Sequence, residues 1–316
     1  MQGNNITLQG CSFVENVASQ AAVFVASENV IFQQCSFIAN ANVGSTTQSF
    51  GAAFVLYSGS VQFVGCMFSN NTVYGNPAMN GAGTVFVYSG TTSFSSCLFS
   101  DNTAYLGNGA ALFVNAGLVS VLSCIFVNNV ASANPLSTLG AQGGAIFVGS
   151  GSVELQNCSF LGNVAQQGLG GAMFVSGGTV SVSNNTFTAN TAEGGGAVYF
   201  LSGTFSCSRC MFLSNVAVQT VATLKSDGGA LYLSDASPVL ADCVFVNNSA
   251  MSGGAVHVSG GFPRFTGCRF SSNAAQTSQG AGGALFIAAG APLLSDCWFG
   301  YNVALQGYGG AVDIDG

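Results

Sequence analysis

Apolar residues in this chain come in short bursts, each closed within a few positions by Gly, Ser or Asn. Two kinds of burst recur. The first is Phe followed three residues later by Asn, as at Phe13/Asn16, Phe37/Asn40, Phe68/Asn71, Phe99/Asn102 and Phe126/Asn129. It continues at Phe160/Asn163, Phe187/Asn190, Phe212/Asn215, Phe245/Asn248, Phe270/Asn273 and Phe299/Asn302. Cys stands two residues before each Phe, except where Asn185 replaces it. The second is Gly-Gly-Ala or a near variant followed by an apolar triplet, as in Gly143-Gly144-Ala145-Ile146-Phe147-Val148. Its small residue (Ala22, Ala53, Thr84, Ala111 and so on to Ala311) precedes the next Phe by 15 positions in all ten cases. The gap from each Asn to the next small residue runs instead from 6 to 16.

A repeat of constant length except at one corner is what stacked coils in register produce, because insertions bulge out only where no ladder is formed. The pattern predicts a single all-β unit over 1–316, a right-handed parallel β-helix of about eleven coils with three short strands each. The first strand is the triplet after the small residue. A turn ending in Gly follows, then a strand that alternates apolar and polar residues, as in Val153-Glu154-Leu155, whose outer two residues face inward. Cys-x-Phe is the third strand. Ile6 and Leu8 fit a coil whose first strand is missing, and Gly309 to Ile314 begins one that is not completed. The reading is therefore of a segment from a longer solenoid, open at both ends.

These paired Gly-Gly-Ala-Ile and Phe-x-x-Asn anchors resemble the repeats of chlamydial polymorphic outer-membrane proteins, over essentially the whole chain. That resemblance implies a β-helical region displayed at the cell surface, often in adhesion. The translocator barrel that bacterial members carry at their C-terminus is not found in this sequence.

Composition narrows the function classes. Charged residues make up 5% of the chain and the net charge is −7, with Arg209, Lys225, Arg264 and Arg269 as the only basic side chains. That is no footprint for nucleic acid or anionic lipid. Mean hydropathy is +0.50, yet no apolar run reaches the ~18 residues a transmembrane helix needs. No basic segment leading into an apolar stretch follows Met1, so no signal peptide is expected.

Stacking turns each repeated position into a column with members ~4.8 Å apart. The Asn column is expected to form an amide ladder. The Cys column admits two states, a reduced ladder packed as small apolar residues or pairwise bridges between adjacent coils. Cys207 and Cys210 match C-x-x-C once, and Cys207 is most simply a core substitution on the second strand. No metal and no cofactor is expected.

The middle residue of the first strand gives an aromatic column: Phe24, Phe86, Phe113, Phe147, Phe174, Tyr199, Tyr232 and Phe286, with Val55, His257 and Asp313 in the same register. Two orientations are open. In one the column faces outward as a strip that contacts another chain or another part of the parent, and in the other it fills the core. Five N-x-[ST] sequons, at Asn5, Asn70, Asn157, Asn184 and Asn247, are candidate N-glycosylation sites.

No catalytic constellation emerges. His257, Arg264 and Arg269 fall on different faces, and among the scattered acids only Asp242 and Asp296 share a column, two coils apart. The function expected is a non-catalytic extracellular or cell-surface module, structural or adhesive, with protein partners in lateral assembly. The corner loops, Ala41 to Ala52, Val130 to Gly144 and Val216 to Gly229, would form its variable face. The alternative is a β-helix that binds or degrades carbohydrate, with a glycan as partner.

Overall fold

A computed structural model describes residues 5–26, 28–43, 50–75, 83–132, 140–220, 226–234, 237–276 and 281–315. Its strands form four parallel sheets of eleven strands each, every strand pairing with its counterpart in the next coil. One coil shows the plan. Asn29–Gln33 lies in sheet A, Ser36–Ile38 in sheet B, Ala41–Asn42 in sheet C and Phe54–Leu56 in sheet D. Four strands per coil replace the three expected. The fourth is the pair or triplet after the ladder Asn, too short to display a period of two, so it escapes a reading based on alternation.

Two left-handed residues make the corners on either side of sheet B. One precedes each Cys, for example Asn157 at φ 56° and Asp242 at φ 54°, and the other precedes each ladder Asn, for example Asn70 at φ 54° and Ala189 at φ 53°. The residue types there are mixed, because stacking imposes the bend and the local sequence only tolerates it. The Gly-Gly anchor has two separate causes. Gly170 takes φ 69°, whereas a Cβ on Gly171 would stand 2.2 Å from the Gly196 carbonyl oxygen of the next coil. The first needs backbone freedom and the second needs space.

The bore between sheets A, B and D is the main core. Strand A contributes two residues per coil, such as Val153 and Leu155, and strand D contributes its outer two, such as Ile146 and Val148. The Phe of strand B is fully buried from Phe37 to Phe270. These rings stack coil on coil, with centroids 4.7–4.9 Å apart along the whole column. The ladder Asn side chains close the same corner. Asn163 Nδ2 donates to Asn190 Oδ1 at 3.0 Å and to the Phe126 carbonyl at 3.0 Å. Its own Oδ1 accepts from the Asn129 amide at 3.0 Å and from Asn129 Nδ2 at 2.9 Å. Both donors and both acceptor positions of each interior amide are thereby used.

The aromatic column of sheet D points away from the bore, and most of it is covered. Phe86, Phe113, Phe147 and Phe174 are 2–7% exposed and form a second apolar cluster with Val55, packed by Ala21, Phe50, Leu169 and Tyr199. Tyr199, Tyr232 and Phe286 are half-buried, and Phe24 is exposed. Of the two orientations the column thus takes the outward one, and from Phe86 to Phe174 its cover is the chain's own corner residues Phe50 and Leu169, as burial of a long apolar strip demands.

Candidate functional site: a groove along sheet C

Length variation falls where the sequence places it, between each sheet C strand and the next sheet D strand. Of the corner loops expected to form the variable face, residues 44–49, 133–139 and 221–225 lie outside the described residues. Beside this corner, over coils three to eight, runs a groove of about 700 Å³. A volume of that size falls within the range of small-molecule sites.

Its floor comes from the outward residues of sheet C. Strands Thr72–Tyr74, Thr103–Tyr105 and Val130–Ser132 pair in register, which stacks Tyr74, Tyr105 and Ser132 in one column. The Tyr74 and Tyr105 rings lie 5.2 Å apart at 17° and are 46% and 43% exposed. Tyr74 covers one face of Tyr105. Among the described residues the next rung offers only Ser132, too small to cover the other face, and Tyr105 lines the groove. Further along, Ser132 Oγ and Gln166 Oε1 are hydrogen-bonded at 3.0 Å, Gln167, Thr191 and Thr220 add polar groups, and Leu106, Val164, Ala165, Ala192 and Val218 make the rest of the lining apolar. Glu193 lies beneath this floor, 1% exposed, and accepts from the Thr220 hydroxyl and, at 3.2 Å, from the Thr220 amide. The groove thus joins one open aromatic face to a row of amide and hydroxyl groups.

The other candidate residues lie elsewhere. His257, Arg264 and Arg269 occupy sheets D, A and B, and Arg269 stacks on Trp298 with its guanidinium carbon 4.7 Å from the ring centroid. His257 has a neighbour that column reasoning missed: Asp227, from the corner segment, puts Oδ2 3.6 Å from Nδ1. His257 also stacks on Tyr232 at 4.6 Å. Asp227 was out of reach of the repeat count because it sits in the variable corner. Burial, with Tyr232 alongside, pushes the Tyr199 hydroxyl up. Asp242 and Asp296 both hold left-handed corners.

The sequon residues Asn70, Asn157, Asn184 and Asn247 are exposed, and all four are left-handed corner residues. Asn tolerates that conformation best among residues with a side chain, and two positions on comes an early residue of the following strand, often Ser or Thr. The corner geometry alone therefore generates the motif. Asn5 opens the first strand, and its side chain lies outside the described residues.

All eleven cysteines carry free thiols. The column packs along the bore with Sγ donating to backbone carbonyls, as from Cys158 to the Gln156 oxygen at 3.3 Å. Burial pushes the Cys35, Cys207 and Cys297 thiols up, which keeps them protonated. Asn185 fits the gap in the column by accepting from the Cys158 amide at 2.5 Å and donating to the Leu155 carbonyl at 2.9 Å. Cys207, Cys210 and Cys243 stand together, their three sulfurs within 4.8 Å of one another.

Four parallel sheets stacked along one axis define the class, a right-handed parallel β-helix. A family model described as the right handed beta helix region matches residues 124–299, more than half of the chain. The chain belongs to that family. No curated protein and no solved structure matches the sequence significantly.

Proposed function

We propose that this β-helix is a non-catalytic rod of the cell surface or extracellular space, and that its sheet C groove holds an extended carbohydrate chain. The observation that carries this reading is the open face of Tyr105 at one end of a row of amide and hydroxyl groups, in a groove parallel to the axis. A sugar presents one apolar C–H face and a rim of hydroxyls, which such a surface complements. The scarcity of charge fits a neutral ligand better than an ionic one. The likeness of the repeats to those of polymorphic outer-membrane proteins supports the surface setting and the adhesive role. Covering of the sheet D rings removes the main support for lateral assembly through that strip.

Binding without turnover is favoured by the acids. Glycoside hydrolysis generally uses two carboxyl groups ~5–9.5 Å apart across the bond, and the described lining carries one, Glu193, buried beneath the floor. A glycan array tests the reading: the chain should bind a saccharide, and Tyr105→Ala should weaken that binding about tenfold, or roughly 1.4 kcal/mol. No release of reducing ends should accompany it. Undiminished binding by Tyr105→Ala would exclude the groove, and release of reducing ends would replace binding by hydrolysis.

A further inference from the structure

The three sulfurs of Cys207, Cys210 and Cys243 are brought together by two different columns. Cys210 and Cys243 are successive members of the Cys column, in adjacent coils. Cys207 enters from strand A, at the inward position where the adjacent coils carry Val182 and Leu240. The Cys207 and Cys243 sulfurs are 3.8 Å apart, and no pair in the trio exceeds 4.8 Å. A planar three-sulfur site with metal–sulfur bonds of about 2.3 Å needs sulfurs about 4.0 Å apart. The trio is therefore close to that geometry already, and small rotations about the Cα–Cβ bonds complete it.

We propose that Cys207, Cys210 and Cys243 form a three-coordinate site for copper(I). Softness and coordination number select the ion. Sulfur donors favour copper(I), zinc and iron–sulfur clusters. Zinc in a closed site takes four ligands, and the side chains packed around the trio are apolar, with all three cysteines at most 1% exposed. The site thus presents three donors and no water-filled fourth position.

Charge selects the protonation state. An apolar bore does not hold an uncompensated charge, so copper(I) loads with loss of one proton, giving one thiolate, two thiol donors and no net charge. Cys210 Sγ already points at the Ser208 carbonyl at 3.4 Å and Cys243 Sγ at the Ala241 carbonyl at 3.3 Å. One thiol of the trio gives up its proton to solvent before the coil closes and forms the copper–thiolate bond, since loading accompanies folding.

The test is metal analysis of the chain produced in medium supplemented with both copper and zinc, after dialysis against a copper(I) chelator. One copper per chain is expected, with near-ultraviolet thiolate-to-copper absorption. Cys207→Val, which places at this position the residue type of Val182 in the coil before, should retain none while keeping the wild-type circular dichroism. Cys66→Ala, in another part of the column, should retain the full equivalent. The proposal is overturned by absence of copper from the wild-type chain, by zinc in its place, or by equal retention in Cys207→Val. Should Cys207→Val fail to fold, the wild-type stoichiometry and Cys243→Ala decide in the same way.

Discussion

The ladder Asn and the left-handed corner beside it show how differently two adjacent residues are constrained. At Asn163 four hydrogen bonds connect three coils. Truncation removes the acceptor for the Asn129 amide and Nδ2, and the donor to the Phe126 carbonyl. A buried polar group left unsatisfied costs about 1–3 kcal/mol, so Asn163→Ala should destabilise the rod by roughly 3 kcal/mol or more in denaturant titration. One residue ahead of the next ladder Asn, the requirement is for backbone alone. Ala189 sits at φ 53° and is exposed, a conformation costing an L-residue about 1–2 kcal/mol. Ala189→Gly should therefore stabilise the protein by about 1 kcal/mol less the unfolded-state entropy that Gly adds. Unchanged or lowered stability would show that the corner is not strained there.

At the scale of the element, sheet D has an apolar face on either side. Its outer residues fill the bore and its middle residue supports a second layer, so Phe147 is a packing residue and not a free contact. Phe147→Ser should cost roughly 3 kcal/mol or more, as for other buried Phe truncations, and should raise hydrogen exchange in the segment beginning at Gly140. A fully stable Phe147→Ser variant would restore the reading of an exposed strip. The direction of this column was legible only as one of two choices. Aliphatic Ile146 and Val148 flank Phe147 in a strand of three, so either the flanks or the ring had to fill the bore. The cover over the rings was not legible, because Phe50 and Leu169 come from the corner of variable length, where no column can be counted. The same corner hid the pairing of His257 with Asp227 and left sheet C unrecognised, with strands as short as Val17–Ala18.

For the whole molecule, each coil contacts its neighbours in four sheets, and stability accumulates as a sum of nearest-neighbour terms. The periodic anchors made this architecture readable: Phe and Asn mark one corner, Gly-Gly-Ala another, and the constant 15 residues between small residue and Phe set the register. The groove was not readable in that way, because it depends on an interruption. Tyr74 and Tyr105 recur and Ser132 ends the run, exposing a ring face that an unbroken column would have hidden. Function on a solenoid is thus expected where a column breaks: Ser132 at the groove, and Cys207 beside the gap at Asn185.

Hydroxyl-radical footprinting with a saccharide selected from the array tests the groove most directly. Tyr57 and Tyr88, exposed and stacked at 4.8 Å near the sheet D face, serve as the internal reference. The account predicts that ligand protects Tyr74 and Tyr105 severalfold while Tyr57 and Tyr88 keep their reactivity. Protection of Tyr57 and Tyr88 with Tyr74 and Tyr105 unchanged would contradict it.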